Sequence, residues 1–343
     1  MGADAGRPWI VVGRRSVLIT PRHVIVGLML LVLSLAVAVV SLRLGKFPVT
    51  TQEVIDALQG QGRKIVQVVV VKWKLPRIVL GLVAGLALGV AGALFQTITR
   101  NPLGSPDLIG FSTGAQTGIL VSILLLPGSM LSASLASFIG GAAVGTVTYL
   151  VSLRGGFTGL RFILVGIAIS SMLVSVNRWL LVRVNDDEGL GALKAITGTL
   201  GAARWPVVAP TCLAIGVTVA LILLASRHLQ VLSLGEQVAT ILGSPTRALL
   251  ILLGTVLVAV VTMAAGPIGF VALVAPHLAR LLTGSPQSPL LVSGLTGSLL
   301  MVGADLLSQL VLESMPVSVV TNAVGGLYLM VALTVAARGR RSL

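Results

Sequence analysis

A chain of 343 residues with 55% hydrophobic residues, only 10% charged residues and a mean hydropathy of +1.04 cannot cover a soluble surface, for which roughly 25% charged residues is usual. Its net charge of +14 comes from Lys and Arg in short clusters between apolar runs, without the interleaved aromatics of a base-stacking surface. That pattern excludes nucleic acid as a partner and points to topology and lipid headgroups. The single cysteine, Cys212, excludes a disulfide framework or a cysteine metal site, and the 40 glycines suit close helix packing in a bilayer.

Residues 1–23 read as a basic tail carrying Arg7, Arg14, Arg15 and Arg22. "GRRSVLI" at 13–19 has a twin-arginine look. The run after it is nearer to spanning length than a signal core, however, and no small-x-small cleavage site follows. A crossing needs about 20 apolar residues. Runs of that kind fall at 24–42, 78–98, 108–127, 131–153, 162–182, 207–225, 248–265, 268–283, 289–311 and 317–336, inside one transmembrane unit from 24 to 337. The third run, "LIGFSTGAQTGILVSILLLP", is polar for a span and is expected to face protein or a water-filled path. The stretch 248–283 is too long for one crossing. "AAGPIGF" divides it, because Pro267 lacks an N–H and disfavours helix through Gly266.

Ten spans put both termini on one side. The arginines before the first span, with Arg338, Arg340 and Arg341 in the tail 338–343, place that side in the cytoplasm, with the chain crossing the cytoplasmic membrane. The loop after the first span breaks the rule, since Arg43, Lys46, Arg63, Lys64, Lys72, Lys74 and Arg77 all fall on the outer side. An outer face this basic needs a use.

Chemistry is sparse. No phosphate-binding loop occurs, His23, His228 and His277 are isolated, and no loop assembles a Ser/His/Asp set, so the chain is expected to be no enzyme and to bind no metal or cofactor directly. Gly81, Gly85 and Gly89 share one face of the second span and fit close helix approach. Ser171, Ser175 and Asn177 in the fifth span fit either packing or the lining of a path. Asp305, inside the ninth span, fits a structural hydrogen-bonding role or an ion relay. The segment "LSLGEQVATILG" (232–243) reads as a short amphipathic helix with the pattern Glu236, Ala239, Gly243. It suits the membrane surface or the groove of a soluble partner equally well.

Taken together, "KLPRIVLGLVAGLALGVAGALFQTITRNPLGSPDLIGFSTGA" (74–115), "LSLGEQVATILG", "GPIGFVALVAPHLARLLTG" (266–284), "GADLL" (303–307) and "MPVSVVTNAVGG" (315–326) resemble the FecCD-type permeases. These are membrane subunits of ABC importers for iron–siderophores, haem and vitamin B12. "NPLGSPDLIGFSTGA" resembles the ferric-enterobactin branch more than the B12 branch. The resemblance implies an all-α, BtuC-like fold of about ten spans and a second permease subunit, a paralogue or an identical copy. It also implies a cytoplasmic ATPase dimer that uses ATP–Mg, an extracytoplasmic siderophore-binding protein, and a ferric siderophore as cargo.

The same resemblance assigns Glu236, Ala239 and Gly243 to coupling with the ATPase. It assigns Lys74 and Arg77 to docking the binding protein, with Lys74 standing where the family has Arg. A further family arginine in the last outer loop is Gln309 here, and family glycines are replaced by Ala272 and Ser318. The rival reading from the residues alone is a secondary transporter driven by an ion gradient through Asp305.

Overall fold

The structure is a computed structural model that describes residues 21–45, 47–125, 130–154, 156–184, 191–193, 195–226, 229, 246–311 and 315–339. Each of the ten apolar runs forms a helix. In chain order they are α1 (Pro21–Arg43), α4 (Leu75–Thr99), α5 (Phe111–Leu125), α6 (Met130–Leu153), α7 (Gly159–Arg183), α8 (Trp205–Leu224), α9 (Thr246–Ala265), α10 (Val271–Thr283), α11 (Leu290–Leu310) and α12 (Val317–Gly339). Two short helices, α2 (Thr51–Leu58) and α3 (Lys64–Gln67), cap one end of the bundle between α1 and α4. Seven of the ten are long and apolar enough to cross a membrane, while α5, α10 and the apolar part of α12 are shorter. The chain is a multi-pass, all-α membrane protein.

The short helices have a physical cause. A 13-residue α10 rises only about 20 Å at 1.5 Å per residue, and the missing length is supplied by the non-helical segments 100–110 and 266–270, which enter the protein and meet. The Phe270 N–H, at the start of α10, donates to Asp107 Oδ2 at 3.1 Å, and Ser112 Oγ donates to Asp107 Oδ1 at 2.7 Å. One carboxylate thus satisfies donors at the starts of two helices. Gln96 Nε2 reaches the Leu273 carbonyl from α4 at 3.1 Å. Irregular backbone is tolerated at membrane depth only where protein surrounds it, and here it does. The division expected at "AAGPIGF" occurs there, with left-handed backbone at Gly266 (φ 74°) and Phe270 (φ 66°).

α4 is the hub, packed against α1, α7, α8, α9, α10 and α11. Its largest partner is antiparallel α11, and the expected glycine face makes that contact possible. A Cβ on Gly85 would lie 2.3 Å from the Gly297 carbonyl oxygen, one on Gly89 2.1 Å from that of Ser293, and one on Gly297 2.1 Å from that of Gly85. Backbone meets backbone there, with Ser298 Oγ donating to the Leu82 carbonyl at 2.7 Å. The same device joins α5 to α6, through Gly114, Gly118 and Gly140. Between helices in lipid, such close van der Waals contact replaces the hydrophobic drive that water would supply.

Where α4 ends, Phe95, Phe111, Phe157 and Phe162 gather, with the Phe95 and Phe162 rings stacked at 6.4 Å and the Phe157 and Phe162 rings tilted at 5.5 Å. At the opposite, capped end stand Trp73, Trp179 and Trp205. The indole of Trp205 donates to the Val71 carbonyl at 2.8 Å, and Arg183 lies over Trp179 at 5.1 Å. Exposed tryptophans at the end of a membrane bundle suit a membrane–water interface.

Candidate functional site

The capped end concentrates the charge. The chain from Lys64 runs as helix through a π-helical stretch, Val68–Lys74, in which the Leu75 N–H bonds back to Val70. This wide turn sits just ahead of Pro76, whose missing N–H falls at the first turn of α4, where it costs least. It delivers the "KLPR" cations inward. Lys74 Nζ donates to three carbonyls, those of Leu42 (2.8 Å), Leu44 (2.9 Å) and Phe47 (2.9 Å), and so fastens the C-terminus of α1 and the turn after it. A cation at a helix C-terminus satisfies orphan carbonyls and the negative end of the dipole together.

Arg77, one turn on, pairs with Asp305 of α11, 228 positions away. Nε lies 2.9 and 3.1 Å from the two carboxylate oxygens, and Nη2 lies 2.8 Å from Oδ1. Gln309 Nε2 donates to Asp305 Oδ2 at 2.9 Å. The Asp305 side chain is 3% exposed against 21% for Arg77, so the carboxylate is the buried partner. Asp305 reads from the sequence as nearly solitary. The fold instead brings it a guanidinium and an amide, which no local pattern signals. Removing one member of such a pair leaves a buried charge, typically at a cost of about 3–5 kcal/mol. As an ion relay, Asp305 would have to give up that partner at each protonation.

Beside these groups, α2 is closed by a capping box. Thr50 Oγ1 accepts from the Glu53 N–H, and Glu53 Oε2 accepts from the Thr50 N–H at 2.9 Å. Arg63 adds an exposed ion pair to Glu53 at 2.6 Å. The Thr50 backbone bond, then Arg63, holds the Glu53 carboxyl below its ordinary value. Arg43, Lys64 and Lys72 are exposed on the same end.

The α7 residues separate into two groups. Asn177 is buried and ties α7 to α5, accepting from Thr117 Oγ1 at 2.7 Å and donating to the Thr113 carbonyl at 3.2 Å. Ser171 and Ser175 are exposed and bond back to the carbonyls of Ile167 (2.8 Å) and Ser171 (3.4 Å). The polar character expected of the third span is likewise used against protein, since Gln116 also reaches the Ile196 carbonyl. Glu236, Ala239 and Gly243 lie outside the described residues. His277 meets Tyr328 of α12 edge-on at 5.6 Å, and His23 Nε2 lies 2.5 Å from Ser285 Oγ. Among the described residues no three His, Cys, Asp or Glu side chains come together as metal ligands. Asp107 was not singled out from the sequence. Its only local signal is an acid directly after Pro106 in the turn-rich "NPLGSPD", and its partner Phe270 is 163 positions away.

Among the described residues two cavities stand out. One of about 290 Å³ is apolar, lined by Val274, Leu300, Leu307 and Val320 among others, and lies between α10, α11 and α12. The other, about 220 Å³, is polar and lined by Thr99, Arg100, Thr158 and Arg247. Both are below the roughly 300–1,000 Å³ of ordinary small-molecule pockets.

Comparison with known proteins places these features. Over 318 residues the chain is 37% identical to the ferric enterobactin transport system permease protein FepG of Escherichia coli K12, covering 91% of this chain and 96% of the relative. It is 33% identical to the probable siderophore transport system permease protein YfhA of Bacillus subtilis, over 90% and 94% of the two chains. A solved structure of a metal-chelate type ABC transporter in an inward-facing conformation superposes with a TM-score of 0.77 at 26% identity, over 91% of this chain and 99% of that one. The model of the FecCD transport family matches residues 30–335, and the chain belongs to that family.

Proposed function

We propose that the protein is the permease subunit of an ATP-driven ABC importer for a ferric siderophore, a catecholate of the enterobactin kind. The observation that carries the reading is the family match across 30–335 together with 37% identity to a ferric enterobactin permease over nearly the whole of both chains. Other relatives serve ferric citrate and hydroxamate systems, so the catecholate assignment leans on the first of these alone. The chain carries no phosphate-binding loop, and ATP–Mg is used by a cytoplasmic ATPase dimer.

In this reading the segment 232–243 seats in the ATPase, with Ala239 and Gly243 permitting close approach and Glu236 pairing at the contact. ATPase closure moves that segment and rocks the helices between outward- and inward-open states. The capped end faces outward and receives an acidic extracytoplasmic binding protein. Arg77 contributes to that docking directly and Lys74 by holding the end of α1 with its three donors, and the exposed cations Arg43, Lys64 and Lys72 steer the approach. Cargo passes between this subunit and a second permease, a paralogue or an identical copy. Exposed Ser171 and Ser175 face that path, whereas Asn177 holds the α7 wall in place. Both termini lie in the cytoplasm.

The test is uptake into membrane vesicles carrying the whole importer, with radiolabelled ferric catecholate and ferric hydroxamate complexes compared. ATP-dependent uptake of the catecholate alone is the expected result, abolished by Glu236→Ala combined with Gly243→Trp although both ATPases remain bound. Uptake that survives ATP depletion and stops with an uncoupler would replace this reading by an ion-driven one.

A further inference from the structure

Asp305 approaches Arg77 side-on, taking Nε and one Nη2 proton. A guanidinium offers five N–H donors in a planar fork. Side-on pairing therefore leaves the end edge, Nη1 with the second Nη2 proton, and among the described residues no hydrogen-bond acceptor meets Nη1. Nη1 points towards the 197–203 connection at the capped end, where a Cβ on exposed Gly201 would stand 3.8 Å away. The carboxylate is buried and the guanidinium is partly exposed, so the pair has an inner side and an outer side. Gln309, one helical turn beyond Asp305, donates to Oδ2 and prevents the carboxylate from turning.

We infer that Asp305, braced by Gln309, is a positioning group that locks the Arg77 rotamer and presents its end edge as a ready two-donor fork for a carboxylate on an acidic docking protein. The inference rests on the docking role proposed above for Arg77. The physical gain is preorganisation. A free arginine loses its rotamer freedom when it binds, and one already fixed by a buried carboxylate does not. Because the Arg77–Asp305 pair is neutral overall, it adds short-range geometry. Long-range attraction is left to Arg43, Lys64 and Lys72.

These two contributions make opposite predictions for Asp305→Asn, which keeps the side-chain shape. Simple electrostatics says that removing an acid beside an acidic partner tightens docking. Loss of positioning says that it loosens docking, through the off-rate. The experiment measures binding of the importer's own extracytoplasmic binding protein to the whole transporter in lipid nanodiscs, by surface plasmon resonance at several salt concentrations. The expected result for Asp305→Asn is an off-rate raised roughly tenfold with the on-rate nearly unchanged. Gln309→Leu, which leaves the ion pair intact and guards against misfolding of the first variant, raises the off-rate by about two- to threefold.

A third variant separates positioning from a helix staple. Arg77→Asp with Asp305→Arg rebuilds the pair with reversed polarity, and it is expected to stay folded yet dock at least tenfold more weakly. Unchanged or tighter docking in Asp305→Asn overturns the positioning role alone, whereas wild-type docking in the reversed pair, which carries no cation at 77, overturns the docking role of Arg77 and the positioning role with it. A wild-type transporter that binds no such protein at any salt concentration overturns the docking reading, and the positioning role with it.

Discussion

Gly89 is, with Gly297, one of the two tightest positions of the α4–α11 contact. A Cβ there would sit 2.1 Å from the Ser293 carbonyl oxygen and 2.8 Å from its carbon, both backbone atoms that cannot swing aside. Ordinary contact begins near 3.4 Å, so Gly89→Ala requires the two helices to part locally by about 1.3 Å, and the separation propagates along a shared seam. The Ser298–Leu82 bond and the Arg77–Asp305 pair lie on that seam. Overpacking of this kind costs about 1–3 kcal/mol, which outweighs the roughly 1 kcal/mol that alanine gains over glycine inside a helix. Gly216, in α8, has nothing within 4 Å of its would-be Cβ. Gly216→Ala is therefore expected to stabilise by about 0.5–1 kcal/mol. Denaturant unfolding of the purified protein in one detergent, followed by helicity, compares the two. The reasoning fails if Gly89→Ala is as stable as Gly216→Ala, because the same substitution would then be insensitive to backbone approach.

In α7, Asn177→Ala removes the bonds to Thr113 and Thr117 but leaves the Thr117 hydroxyl donating to the Thr113 carbonyl, for an expected loss of about 0.5–1.5 kcal/mol in the same assay. Ser171→Ala, on the exposed face, is expected to be neutral in stability, and any effect it has belongs to cargo uptake. Around α2, the Glu53 carboxyl is held below its ordinary value in the folded state, first by the Thr50 backbone bond. Its contribution is therefore complete above the ordinary glutamate range and is lost as pH falls through the lowered value. Hydrogen exchange of 50–58 should accelerate on acidification relative to the α4 hub, and Glu53→Gln should remove that difference.

Much of the architecture is legible in the sequence because bilayer-spanning helices are specified locally. Twenty apolar residues in a row satisfy their own backbone and need no distant partner. The ten runs, the break at Pro267 and the glycine face of α4 all follow from composition and period, and the structure places each within a few residues. Ser171 and Ser175 were legible as a shared face for the same reason. Asn177 shares their polar character in the same run, but its burial depends on where α5 lies.

What only the tertiary structure decided are the polar partnerships across the bundle. Lys74 and Arg77 read as a pair of outward cations, yet one holds the end of α1 and the other reaches Asp305 across 228 positions. Asp107 has little local to mark it, yet it closes the starts of two helices. The physical reason is common to all three. A charge at the edge of a low-dielectric interior has to find compensation, and the sequence states the charge without stating which helix will bring the partner.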